Sequence, residues 1–330
     1  MSIYEDYQKL KEEYGLNSDM LWRCGTERRT KGGKLLIDYG NLCSYVKVTH
    51  SNRFKYFSLF SNSGKSFEID KKITTMDNFY SMTNELLLES IFEKFGVLTA
   101  QYFPRKIDDS YFVASPNYLK SICSYTTLSD FATKGARGKL QGDELVQSQI
   151  MTLTLIGNNL TRMLDNEGLL LQTMTPDCYD KYVSYMLIGL FTFLDDEHSN
   201  NIILCKSKGS KKFDDVFVFD NESAAYCYYL SQGMKTHDIM FYLLNSKIYG
   251  AGIVVNASDE CYEDKFEGVL KLIQEGKIKE KHIKLMEKFA ELDYRALADE
   301  VFKKYKILPD EKQLEMFQYG SDYAGEILSK

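Results

Sequence analysis

Asp196, Asn201 and Asp220 are the residues of this chain whose types and spacing could do chemistry together. Two carboxylates and an amide offer hard oxygen donors. Such a set suits Mg²⁺, which proteins hold through one or two carboxylates together with substrate phosphates. To serve one ion the three must converge, and the residues between them supply a means. Ile202 to Leu204 and Val216 to Phe219 are apolar runs of strand length. The connector from Cys205 to Asp215 carries Lys206, Lys208, Gly209, Lys211 and Lys212 and reads as a solvated hairpin turn. If the runs pair as antiparallel strands, Asn201 enters the first and Asp220 leaves the second, at the same end of the ribbon. The alternative is a polar loop ahead of a strand, with no ion.

In kinase chemistry a catalytic Asp precedes a metal-binding Asn by five residues, and a second metal-binding Asp follows beyond a hairpin. Asp196, Asn201 and Asp220 reproduce that order and spacing. The stretch Asp196-Glu197-His198-Ser199-Asn200-Asn201 resembles the D-x-H-x-x-N catalytic loop shared by HipA-like kinases and phosphatidylinositol 3/4-kinases. The resemblance implies that Asp196 is catalytic, orienting an acceptor hydroxyl and taking its proton. It implies that Asn201 and Asp220 hold Mg²⁺ at the phosphates of ATP, and that His198 braces the loop. HipA-like loops usually place Lys just before the metal-binding Asn, where this chain has Asn200.

The elements upstream must then cover and contact the nucleotide. A strand at Met20 to Cys24, a loop Gly25 to Lys34 and a strand at Leu35 to Tyr39 make a hairpin. Gly32 and Gly33 would let backbone N–H groups approach a phosphate, although the same pair also makes an ordinary β-turn. Ser44 to Val48 is the next strand. Its Tyr45-Val46-Lys47 resembles the lysine strand of HipA-like kinases, which makes Lys47 the candidate for the phosphate contact. Lys55, Lys65, Lys71 and Lys72 are rivals. Asn78 to Phe95 has helical period, with Leu87, Leu88, Ile91, Phe92 and Phe95 as its apolar stripe. Glu85 borders the stripe, and Glu89 and Glu93 point further toward solvent. Asn84-Glu85 resembles the opening of the corresponding HipA-like helix, which implies that Glu85 pairs with Lys47. Strands at Leu98 to Phe103 and Tyr111 to Ala114 lead to the break Ser115-Pro116-Asn117. In a kinase this hinge contacts adenine, with Phe112, Val113 and Ser115 as candidates.

Downstream the pattern turns helical. Gly142 to Leu164 reads as one helix, with Leu153 among its core residues. A second begins at Pro176 and is apolar on nearly all sides, so it should be buried. Residues 258–330 read as an amphipathic, charged helical tail broken at Pro309, with solvated lysine and glutamate faces. These elements predict an α+β chain of two-lobed, kinase-like fold. Residues 1–117 form a β-rich N-lobe carrying one helix, and residues 118–330 form a mostly helical C-lobe carrying the catalytic and metal-binding loop.

Composition bounds the partners. At 330 residues and 44% hydrophobic, the chain can build substantial cores. A net charge of −6 argues against broad nucleic-acid binding. Seven Cys at irregular spacing and four scattered His form neither a disulfide framework nor a zinc pattern, which points to a reducing compartment. No apolar run has transmembrane length, and the polar start Met1 to Asp6 is no secretory signal, so the expected location is cytoplasmic, with export as an effector left open. The resemblance implies an ATP- and Mg²⁺-dependent serine/threonine-protein kinase, autophosphorylating in some members, acting as a bacterial toxin or effector. Its partners would be a protein carrying the acceptor Ser or Thr and an antitoxin or host protein. A lipid kinase is the alternative because the loop is shared, and a nucleotide-binding pseudokinase is the other because of Asn200.

Overall fold

The computed structural model describes residues 2–15, 25–29, 35–39, 45–48, 67–69, 75–107, 110–115, 119–194, 199–219, 221, 224–226, 230, 233–236, 255, 265–308 and 310–330. The protein is mixed α+β. Helix α1 (Ile3–Gly15) is followed by strands β1 (Gly25–Arg29), β2 (Leu35–Tyr39), β3 (Tyr45–Val48) and β4 (Phe67–Ile69). Helix α2 (Thr75–Lys94) leads to β5 (Leu98–Thr99), β6 (Phe103–Ile107) and β7 (Ser110–Ser115). A short α3 (Leu119–Ile122) precedes β8 (Ser124–Thr127), and then come α4 (Leu128–Ala136), α5 (Gly142–Leu155), α6 (Leu160–Asp165), α7 (Glu167–Thr173) and α8 (Pro176–Phe191). The hairpin β9 (Ile202–Lys206) and β10 (Asp215–Val218) follows, then a single 3₁₀ turn at Ala224–Tyr226. The chain closes with α9 (Lys265–Gln274), α10 (Glu280–Ala290), α11 (Tyr294–Tyr305) and α12 (Glu311–Ser329).

Three small sheets result, ordered β1-β2-β4, β3-β7-β6 and β5-β10-β9-β8. The last contains the expected hairpin, with Ile202 opposite Val218 and Cys205 opposite Asp215. Strands β9 and β10 are buried almost throughout, which is why both read as unbroken apolar runs without alternation. Strand β5 adds in parallel to the free edge of β10. The ring of Tyr7 from α1 meets Phe217 edge-on at 5.6 Å, and α8 packs against β10.

Helix α8 is the buried rod that its composition predicts. Thr175 caps it by accepting the Cys178 N–H at 3.2 Å, and Pro176 occupies its first turn, where no donor is lost. Tyr182, Val183, Tyr185, Met186, Leu187 and Ile188 are all buried.

Several expectations are corrected. Residues 25–29, expected as loop, are strand β1, paired antiparallel with β2 from Gly25 opposite Tyr39 to Arg29 opposite Leu35. The expected strand at Leu98 to Phe103 is two strands, ending at Thr99 and restarting at Phe103. The single helix expected over 142–164 is α5 and α6, parted where Gly157 and Asn158 take φ of 91° and 46°, a left-handed step that no helix can contain. Leu153 is 63% exposed on α5, so it is not core. The C-terminal helices, by contrast, are amphipathic as expected, and their apolar faces are core. Phe289, Phe302, Met316 and Phe317 are fully buried, α12 packs on α10 and α8, and α11 packs on α2. Their charges occupy one face of each helix, and the opposite faces build the core. The closest approach is at Gly320, where a Cβ would stand 1.7 Å from the Phe191 carbonyl oxygen. Among the described residues no helix is long and apolar enough to cross a membrane.

Candidate active site

Asn201 lies at the open end of the β9–β10 hairpin, remote from the connector, and the backbone there is pinned at several points. The Phe219 N–H donates to the Asn201 carbonyl at 3.3 Å, extending the ladder one step beyond Ile202 and Val218. Asn201 is 3% exposed. On the other side of the hairpin strand, the Ala100 N–H donates to the Val218 carbonyl at 3.1 Å. Asn221, two residues beyond Phe219, donates its N–H to Glu85 Oε2 at 3.0 Å. Asp220 lies between these two pinned neighbours in sequence but outside the described residues, as do Asp196 and His198. The segments that flank Asp196 are held as well. The Leu194 N–H reaches the Gly189 carbonyl at 2.9 Å, and the Ser199 carbonyl accepts from Ser129, in the first turn of α4, at 3.0 Å.

Helix α2 backs this arrangement with three consecutive polar residues, Thr83, Asn84 and Glu85, none of them solvent-exposed. Polar groups so deeply buried must be partnered. Thr83 Oγ1 donates to Gln313 Oε1 at 2.8 Å, Asn84 Nδ2 donates to the Ala224 carbonyl at 2.5 Å, and Glu85 takes Asn221. The next link runs from the Ala225 N–H to the Thr192 carbonyl, 2.9 Å away at the end of α8. Asn221 and Ala224 are therefore tied to α2, and Ala225 to the end of α8.

One turn further along α2, Glu89 is not the solvent-facing residue its position suggests. Its side chain accepts the Tyr102 N–H at 2.9 Å and bonds Lys11 of α1, which also reaches Glu93 at 2.6 Å. Burial pushes the Glu89 carboxyl up, against the opposing pull of Lys11. Helix α1 covers this face, and no short-range pattern announces it.

The nucleotide-side candidates are joined through strand pairing. Lys47 in β3 lies opposite Val113 in β7, Val48 opposite Phe112, and Tyr45 opposite Ser115. The candidate phosphate lysine and the three candidate adenine contacts thus share one antiparallel ladder, against which α2 packs. The lysine side chain and the glycines Gly32 and Gly33 lie outside the described residues, so the Lys47–Glu85 pair does too.

The donor chemistry of the described part fits a hard cation. Asn201 supplies a buried amide. Asn221 supplies a second that is fully buried, and neither its Oδ1 nor its Nδ2 has a hydrogen-bond partner. An orphaned buried amide costs about 1–3 kcal/mol, so a group that satisfies it would be stabilising. Among the described residues, no group of three or more His, Cys, Asp or Glu could hold a metal ion.

Sequence reasoning missed Gln313, Asn221 and Lys11. Gln313 had a misleading local signal, since it stands three residues after the helix cap Asp310, whose Oδ1 accepts the Gln313 N–H at 3.1 Å. Only the tertiary contact shows that its side chain turns inward.

No protein-family model and no curated protein matches the chain. Among solved structures it is similar to the proinflammatory kinase CtkA of Helicobacter pylori, with a TM-score of 0.40 and 12% identity over 89% of this chain and 93% of that one. It is also similar to a chain in the HipA, HipB and operator DNA toxin–antitoxin complex of Shewanella oneidensis MR-1, with a TM-score of 0.37 and 9% identity over 88% of this chain and 65% of that one. Neither likeness assigns a role to any residue.

Proposed function

We propose that this protein is a HipA-like kinase that transfers the γ-phosphoryl group of Mg²⁺–ATP to a protein Ser or Thr. The observation that carries the reading is the open end of the β9–β10 hairpin, remote from its connector. Phe219 is bonded to buried Asn201 and Asn221 is bonded to buried Glu85. The two bonds bracket Asp220 in sequence, as a paired metal Asn and Asp require.

In this reading Asn201 and Asp220 hold Mg²⁺, which when bound neutralises charge on the transferred phosphoryl group. Asp196 orients the acceptor hydroxyl and takes its proton. Lys47 contacts the phosphates beneath the Gly32–Gly33 turn, and Glu85 holds that lysine. Phe112, Val113 and Ser115 border the adenine. The work is positioning and electrostatics on a prearranged scaffold, the main demand of phosphoryl transfer. The partner is a protein bearing the acceptor residue, with an antitoxin or host protein as the regulator or target, and the setting is the cytoplasm or that of an exported effector.

A second reading, a pseudokinase, is favoured by one observation. Asn200, where HipA-like loops usually carry Lys, is solvent-exposed in the turn before Asn201. The test is incubation with Mg²⁺ and γ-labelled ATP beside Asp196→Asn and Asp220→Asn, with protein and lipid acceptors. Label on protein that both variants abolish is expected. Label on lipid alone would replace the acceptor class, and tight Mg²⁺–ATP binding without transfer would establish the pseudokinase. A protein that binds no nucleotide would overturn the assignment.

A further inference from the structure

The C-terminal helix α12 packs against the turn at Ala224–Tyr226 and is also joined to it by a side-chain relay that starts at Gln313. Gln313, in the first turn of α12, is fully buried. Its Nε2 donates to Asn84 Oδ1 at 2.5 Å and to the Tyr80 carbonyl at 3.3 Å, and its Oε1 accepts from Thr83 at 2.8 Å. A side-chain amide has one acceptor end and one donor end. With Gln313 occupying Asn84 Oδ1, the Asn84 Nδ2 is left facing the Ala224 carbonyl, to which it donates. Flipped, Asn84 would set oxygen against oxygen there. Gln313 therefore selects the orientation in which Asn84 can hold Ala224.

That grip bears on a strained step. Ala225 has φ of 53°, a left-handed conformation that a non-glycine residue keeps only when its surroundings enforce it. The enforcing bonds are Asn84 to the Ala224 carbonyl on one side and the Ala225 N–H to the Thr192 carbonyl on the other. Asn221 precedes Ala225 in the chain and is held by Glu85, the position after Asn84 on the same helix turn. Asn84 and Glu85 thus grip the segment at two points, and α12 sets one of those grips.

We infer that Gln313 is a positioning residue for the metal-binding segment, acting through Asn84 and the Ala224–Ala225 turn. The inference rests on the kinase reading for its catalytic meaning, although the clamp itself does not. It gives the C-terminal helices a task in the site, since losing the Gln313 bond would loosen Asn84 and, through it, the Ala224–Ala225 turn.

The test uses the full chain as wild type, Gln313→Met, Asn84→Ala and the double variant. Ser321→Ala serves as control, because from the same helix the Ser321 hydroxyl bonds the Phe289 carbonyl and the Tyr294 hydroxyl, neither of which lies on α2 or in the segment. Two readouts are taken: hydrogen exchange of the Asn221 and Ala225 amides, and Mn²⁺–ADP affinity by calorimetry. Gln313→Met and Asn84→Ala should each raise exchange at both amides about tenfold and weaken Mn²⁺–ADP about tenfold, with the double variant adding less than about twofold, since the two act as one unit. Ser321→Ala should lower the denaturation midpoint and leave both readouts at wild-type values. Gln313→Met that behaves like Ser321→Ala overturns the inference. So do losses that simply add, and faster exchange with unchanged affinity. If wild type binds no Mn²⁺–ADP, the kinase reading falls on that result alone, and the positioning role falls with it. Exchange still decides whether the clamp exists.

Discussion

Replacing Glu85 separates a structural from a catalytic role. The carboxylate is fully buried and accepts the N–H of Asn221, itself fully buried. In Glu85→Leu no water can reach that N–H, so the expected loss is that of a hydrogen bond to a charged group, roughly 1.5–3 kcal/mol. Glu85→Gln keeps an acceptor oxygen at the same reach and removes only the charge, so its loss should stay near about 1 kcal/mol. Phosphoryl transfer should sort them differently. Both variants remove the negative charge that would hold Lys47, so both should fall steeply in rate, whereas only Glu85→Leu should lose much stability. Urea denaturation and single-turnover transfer measure the two quantities. Glu85→Leu with stability within about 0.5 kcal/mol of wild type would refute the argument from the Asn221 bond. Glu85→Gln that transfers at the wild-type rate would refute the charge role.

Two further outcomes follow from groups away from the site. Asp215 is buried with Lys181 Nζ at 2.8 Å, and burial pushes its carboxyl up to about 6 from an ordinary 3.8. A raised folded-state pKa means that the native protein binds the proton more tightly, so this group's contribution to stability is present at low pH and is lost as pH rises from about 4 to about 6. Between pH 7 and pH 5 wild type should gain on the order of 1 kcal/mol relative to Asp215→Asn in urea denaturation, and parallel pH profiles would refute the assignment. At Gly320 an added methyl would stand 1.7 Å from the Phe191 carbonyl oxygen. Gly320→Ala must push α12 off α8 and should lower stability by roughly 1–3 kcal/mol, read as a shift of the urea midpoint; an unchanged midpoint would show that the helices part freely.

What the chain alone determined is local. Continuous apolar runs announced β9 and β10, because strands buried on both faces need no polar alternation. The Pro176 start and all-round apolarity announced α8. The spacing of Asp196, Asn201 and Asp220 nominated one site on one hairpin, and the paired ends of that hairpin are as expected. The tertiary structure decided what spacing cannot encode. It put Asn221 on Glu85, 136 residues away, and Gln313 on Asn84, 229 residues away. It turned Glu89 from an outward-looking helix position into the anchor of α1. It made core of a charged tail by burying one face of each helix. A hydrogen bond is specified by where two groups arrive, and arrival depends on how whole elements pack. A polar residue in sequence therefore shows that a partner is needed once it is buried, and only the fold shows which partner it is.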